Sequence, residues 1–305
     1  MDPLLRATLT SWDWRIEVIL VFAVAASLYT RGWWRLRRRT SGRQGRSRWH
    51  ASALWRPVAY VGGLLILGIA LMSPIDVLAS QLFTFHMVQH VLLVMVVPPL
   101  LLLANPLPFT LWGLPESART PAGGLLRRKS TFRRFLEKTT GAGLVWMMFV
   151  IVYWGWHDPN AYDLALRSAF VHDLEHISFF LVSVLFWWHA MGAAPHIHKP
   201  MTRGIRFAYL ISAFPVTMVA GLAITFAKEP IYSYYEAMPR LWGISVMDDQ
   251  SIAGVIMWVL GGMMYIIAAL VIAARWLQGE EAKPALPEAT WATEDALAVP
   301  GFKAK

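Results

Sequence analysis

Apolar runs of about 20 residues recur along most of this 305-residue chain. Each is long enough to cross a hydrocarbon core of roughly 30 Å as a helix. Charged residues make up only 15% of the chain against 56% hydrophobic, where a soluble domain carries about 25% charged residues. The chain therefore lacks the charge to cover a water-facing surface. The expected fold is an all-α integral membrane protein, a bundle of seven transmembrane helices. Its spans read as 17–30, 55–72, 81–104, 143–156, 168–190, 207–227 and 252–276. Residues 1–278 then form the membrane domain, and 279–305, rich in Ala, Pro and Glu, read as a disordered cytoplasmic tail.

The basic residues give the orientation. Arg31, Arg35, Arg37, Arg38, Arg39, Arg43, Arg46, Arg48 and Arg56 fall between the first two spans. Arg119, Arg127, Arg128, Lys129, Arg133, Arg134 and Lys138 fall between the third and fourth, and Lys199, Arg203 and Arg206 between the fifth and sixth. The positive-inside rule makes that side cytoplasmic, with the amino terminus outside and the carboxyl terminus inside. The net charge of +9 is thus topological, and no nucleic-acid partner is expected; the partner along the spans is membrane lipid. The first apolar run reads as a retained helix, because its basic cluster follows it instead of preceding it.

With this orientation, His50, His189, His196 and His198 lie on the cytoplasmic side, and His86, His90, His157, His172 and His176 on the outer side. Two pairs stand four residues apart, in HMVQH (His86, His90) and HDLEH (His172, His176). On a helix that spacing puts both imidazoles on one face. His86 is five residues into its span, about 7.5 Å deep at 1.5 Å per residue. Polar groups at that depth face the bundle or water, not lipid. Interfacial histidines can simply bond to helix-end carbonyls, but two such pairs with a fifth histidine at one level favour a metal site, since metals take neutral imidazole. Asp76, Glu175, Asp249 and Gln250 lie nearby and are candidates to support the ligands from behind.

The chain has no cysteine. Disulfides, thiolate zinc sites, iron–sulfur clusters and cysteine nucleophiles are excluded together, which leaves histidine and methionine for a soft metal. Met72, Met87 and Met247 fall near the outer face. Pro98–Pro99 and Pro215 are expected to kink their helices, Gly261–Gly262 to permit close helix approach, and Trp154, Trp156, Trp187 and Trp188 to anchor at the membrane interface. SPIDVLASQLFTFHMVQH and DPNAYDLALRSAFVHDLEH form a faint repeat: outer loop, proline, acid, then His-x-x-x-His.

HMVQH with its following PP, HDPNAYDLAL, HDLEHISFFLVSVLFWW and DDQSIAGVIMW resemble the CtaG family of cytochrome c oxidase assembly proteins over residues 73–276. This is the seven-helix family associated with caa-type oxidases, distinct from the single-span copper chaperone that shares the name. The resemblance implies a bacterial inner-membrane factor that matures a haem–copper oxidase, handling copper, with zinc as the other candidate ion. It implies oxidase subunits or a periplasmic copper chaperone as partners. Carried over by position, it marks His86, His90, His157, His172, Glu175, His176, Asp249 and Gln250.

Two other classes compete with a non-enzymatic assembly factor. HDLEH fits a His-x-x-Glu-His metallohydrolase pattern with Glu175 as general base; a b-type haem protein is the other class, although haem needs histidines on facing helices, which pairs on one helix face do not by themselves provide. The topology is directly testable. A periplasmic reporter fused after Asp163 is expected to be active and one after Lys199 inactive; the reverse pattern would put the histidines in the cytoplasm.

Overall fold

The computed structural model describes residues 10–40 and 53–281, and every regular element among them is helical. The chain begins with α1 (Ile16–Thr40) and α2 (Trp55–Met72), then a short α3 (Pro74–Ala79). The next span is composite: α4 (Phe83–Val91), a π-helical turn (Leu92–Val96) and α5 (Val97–Leu103). After it come α6 (Pro106–Gly113), α7 (Glu116–Leu125), α8 (Thr131–Thr139), α9 (Ala142–Trp156), α10 (Pro159–Arg167) and α11 (Ala169–Met191). The chain closes with α12 (Arg203–Phe226), α13 (Ser233–Glu236), α14 (Val246–Val255), a second π-helical turn (Ile256–Leu260) and α15 (Gly261–Glu281).

Six of these helical stretches are long and apolar enough to cross a membrane. A seventh is obtained when α8 and α9, bent by 60° at their junction, are counted as one span. The reason lies in length. The 15 residues of α9 reach only about 22 Å at 1.5 Å per residue, short of a full hydrocarbon core. Leu65, Ile151, Leu181, Val219 and Leu270 sit mid-helix and are more than half exposed. An outward apolar belt of this kind has lipid as its natural solvent, and the chain is a multi-pass membrane protein.

The composite span of α4, π turn and α5 is the most buried of the six, packing on α2, α11 and α14. Its sequence explains its break. Pro98 and Pro99 have no backbone N–H and leave carbonyls behind them without helical donors. The Trp187 indole Nε1 donates to one of these, the Val94 carbonyl, at 2.9 Å. Trp187 and Trp188 are consequently buried, and Trp156 is tied to Ser178 at 2.7 Å. Of the four tryptophans expected at the membrane interface, Trp154 is exposed. The sequence reading missed that a proline pair deep in a span creates demand for a buried donor.

Other expectations shift at their edges. α1 continues to Thr40, so Arg31, Arg35, Arg37, Arg38 and Arg39 ride on a helix instead of a loop. The last span starts at Val246, before Asp248, Asp249 and Gln250, and runs to Glu281. The rest of the expected tail, and His50, Arg43, Arg46 and Arg48, lie outside the described residues. α12 runs unbroken through Pro215.

Close packing of α12 on α14 depends on Gly221 and Gly254. A Cβ on Gly254 would lie 2.7 Å from the Thr225 amide nitrogen and 2.8 Å from the Gly221 carbonyl oxygen, both backbone atoms that cannot swing away. Gly254→Ala is therefore expected to destabilise the chain by about 1–3 kcal/mol, read as a lower thermal midpoint in detergent micelles. Gly62→Ala, whose Cβ would meet nothing within 4 Å, is expected to be neutral or slightly stabilising.

Candidate metal centre

Two hooks of similar build bring the histidine pairs together. In each, a short helix with proline in its first turn, α3 or α10, precedes a long helix whose fourth residue is the first histidine: His86 in α4, His172 in α11. The faint sequence repeat thus has a structural counterpart. Ser73 caps α3 by accepting from the Ile75 amide, and Asp158 caps α10 by accepting from the Asn160 and Ala161 amides, the expected use of short polar side chains at helix starts.

One ligand atom from each of His86, His172, Glu175 and His176 falls within 4.8 Å of the other three. The ring centroids of His86 lie 4.3 Å from His90, 5.3 Å from His172 and 6.1 Å from His176. Glu175, fully buried, points between the hooks: its oxygens are 3.7 Å from His86 Nε2 and 3.6 Å from His90 Nε2. It stands inside the group of imidazoles, not behind it. His157 is set apart, with its ring 6.5 Å from that of His90.

The hydrogen bonding is lopsided. His86 Nε2, both nitrogens of His90, Nε2 of His157, His172 and His176, and both Glu175 oxygens are buried without a hydrogen-bonding partner among the described residues. Each such atom costs about 1–3 kcal/mol if left unpaired, and a whole domain is stable by only about 5–15 kcal/mol. Two of the rings, in contrast, are tied down at their second nitrogen. His157 Nδ1 donates to the Tyr153 carbonyl at 2.6 Å. His86 Nδ1 lies 2.7 Å from the Tyr162 hydroxyl and 3.1 Å from that of Tyr235. Tyr235 gives its own proton to the Ala79 carbonyl at 2.8 Å, so the His86 ring is held from behind by a pair of phenols. Its Nε2 faces Glu175. Burial pushes both phenols above their ordinary pKa, which holds them protonated in this role.

A fixed second nitrogen behind an unpaired inner one, as at His86 and His157, is the pattern metal-bound histidines show. Three imidazoles and one carboxylate form a donor set suited to copper or zinc, and a bound cation would satisfy the orphaned atoms. The residues fit such an ion.

The remaining sequence candidates hold the scaffold. The Asp249 carboxylate accepts from the Phe83 amide at 2.8 Å and the Thr84 amide at 2.9 Å, capping α4 from another helix, because Leu82 at its N-cap offers no side-chain acceptor. Gln250 accepts from the Ile231 amide at 2.7 Å and donates to the Glu229 carbonyl at 3.2 Å, fixing the loop that leads to Tyr232 and Tyr235. Asp76 accepts from Gln89 Nε2 at 2.6 Å, and burial raises its carboxyl pKa. Near the mouth, Arg15 forms a fork on Asp173, with both contacts at 2.9 Å.

The model of the family described as cytochrome c oxidase caa3 assembly factor (Caa3_CtaG) matches residues 27–279. The chain belongs to that family. The match takes in both hooks, α14 and nearly all the described residues. Among curated proteins, this chain is 27% identical over 282 residues to an uncharacterized protein of Mycobacterium bovis and to one of Mycobacterium tuberculosis, covering 90% of this chain and 40% of each of theirs. An uncharacterized protein of Mycobacterium leprae is 25% identical over 228 residues, covering 72% of this chain and 34% of its own. The chain thus spans about two fifths of the length of the first of these relatives. No solved structure matches it.

The sequence reading did not find Tyr162 and Tyr235. The available signal was position: Tyr162 follows His157 in HDPNAY, and Tyr235 precedes the DDQ motif. Asp249→Ala is expected to leave the Phe83 and Thr84 amides unpaired at about 1–3 kcal/mol each, lowering the thermal midpoint and loosening α4. A midpoint equal to wild type would mean that water caps α4 as well as Asp249 does.

Proposed function

We propose that this caa3 assembly factor binds a copper ion at His86, His172, Glu175 and His176 on the outer side of a bacterial inner membrane and supplies it during maturation of a haem–copper oxidase. The observation that carries the reading is the set of buried, unpartnered nitrogens and carboxylate oxygens converging from two helices. The family match supports the oxidase as the recipient, and the distribution of lysine and arginine supports the outer location, with α8 and α9 together as the seventh span. Copper is cargo here. The protein holds it with neutral imidazoles, orients that of His86 through Tyr162 and Tyr235, and keeps water away by burial. An oxidase subunit or a periplasmic copper chaperone meets the site from the outer side.

The hydrolase and haem readings have weaker support. Glu175 is fully buried beside His86 and His90, whereas a general base needs a cleft that admits substrate. A haem takes one opposed pair of imidazoles, whereas three histidines and Glu175 gather here within 4.8 Å.

Protein purified without chelator is expected to carry about one ion per chain at this site. His176→Ala should lower metal affinity by at least the 10–100-fold typical of losing even a supporting contact, at normal membrane levels. In a host that depends on this chain, oxidase activity should fall at limiting copper and recover partly in excess copper, while His198→Ala has little effect. Full oxidase activity in His86→Ala and His176→Ala at limiting copper would sink copper delivery.

A further inference from the structure

A small cavity of about 30 Å³ adjoins the cluster, lined among others by His90, His157, Met87, Met95, Met257 and Thr217. Methionine in a membrane helix is ordinarily packing. What lifts this cavity above packing is that its two histidines both carry buried nitrogens with no partner among the described residues, and that neither belongs to the group formed by His86, His172, Glu175 and His176. We infer that this cavity is a second, softer metal site, taking copper(I) between His90 and His157 with a methionine thioether as a further donor. The inference rests on reading the neighbouring cluster as metal-handling, and adds a separate ion to it.

The geometry supports two imidazoles on one ion. With metal–nitrogen distances of about 2.0–2.1 Å, rings facing each other across a near-linear bridge have centroids roughly 6.4 Å apart; those of His90 and His157 are 6.5 Å apart. The tautomers also fall into place. His157 donates from Nδ1 to the Tyr153 carbonyl, so Nε2 carries its lone pair. His90 Nε2 faces Glu175 Oε1 at 3.6 Å. A proton there is directed at the carboxylate and leaves Nδ1, also buried and unpartnered, to the second ion. His90 and Glu175 thereby stand at the boundary between two compartments.

The donor sets differ in kind. The first compartment offers three imidazoles and a carboxylate, suited to divalent zinc or copper; the second offers imidazole with thioether, which selects copper(I). The second also lies deeper. Met95 is five residues beyond His90, about 7.5 Å further along the span at 1.5 Å per residue. An uncharged thioether can line a cavity at that depth without the desolvation cost a carboxylate would carry.

The test uses the full-length protein in detergent micelles, loaded first with zinc(II) and then titrated anaerobically with copper(I) against a chelator of known affinity. X-ray absorption at the copper edge reads the donors. The expected result is one copper(I) taken up without loss of zinc, with sulfur as well as nitrogen in its shell. Met87→Leu, Met95→Leu and Met257→Leu keep side-chain volume and so the fold. At least one should weaken copper(I) binding tenfold or more and remove the sulfur signal while the zinc stoichiometry stays unchanged. His176→Ala should do the converse, losing zinc and keeping sulfur-ligated copper(I). One-for-one displacement of zinc by copper(I), or a copper shell of nitrogen and oxygen alone, would overturn the second site and leave the first standing. Sulfur-ligated copper(I) in a wild-type protein that takes no divalent ion would sink the proposed function and spare this inference. Uptake of neither ion would overturn both.

Discussion

Desolvation governs this structure. Imidazoles and a carboxylate are drawn into an apolar bundle where water cannot solvate them, and each buried polar atom there has to find a partner or cost free energy. The chain satisfies one side of His157 and His86, through Tyr153, Tyr162 and Tyr235, and leaves the inward nitrogens of the group without partners among the described residues. A fold optimised only for stability would place leucine or phenylalanine at these positions, as it does at Leu93, Phe149 and Phe186. The retained polar cluster is a cost that a bound cation would offset.

Everything around the cluster serves to hold two helices at a fixed separation while both are interrupted or anchored. α4 cannot cap itself, so Asp249 reaches across from α14. The proline pair beyond it breaks the ladder of α5, so Trp187 reaches across from α11. These two inter-helix bonds bracket His86 and His90 at either end of the stretch that carries them. The glycine contact of α12 with α14 then fixes the height of Asp249, linking a packing constraint in mid-membrane to the position of an imidazole at the rim. The fork of Arg15 on Asp173 is a different kind of contact. Its side chains are 30% and 39% exposed, and a pair in that setting contributes at most about 1 kcal/mol, so it positions the segment before α1 without bearing on the cluster's stability.

The all-helical membrane class could be read from hydropathy, because backbone satisfaction in lipid admits few alternatives. The convergence of the histidines was legible for an equally simple reason: spacing of four residues fixes a helix face. The supporting tyrosines were not. α10 and α13 are short, lie outside any span and have no long period to betray them, and which rings point at His86 is decided by how three separate segments pack. Glu175 was visible as a neighbour of the pair, but its rotation into the middle of the group depends on the relative twist of α4 and α11, which no single-helix pattern contains. The same limit applies to Met95 and Met257. They come from different spans and share a cavity only after the bundle has closed, whereas Met72 and Met247, equally eligible by position, do not line it.

The two ends of α11 show why residue type alone could not decide the matter. His176 and His189 lie on one helix, about 20 Å apart at 1.5 Å per residue. At the second end, His189 Nε2 donates to the Thr140 carbonyl at 2.7 Å, and His198 Nε2 pairs with the Thr140 hydroxyl at 3.0 Å. Their rings are 5.4 Å apart, as close as many pairs in the outer cluster. A metal there would have to break bonds that already compensate burial, and would gain correspondingly less. At the first end the same side chains converge with their lone pairs uncommitted. Proximity of histidines is thus common to both ends of the bundle, and what separates a candidate ligand set from ordinary helix-end bonding is the state of the nitrogen that faces inward.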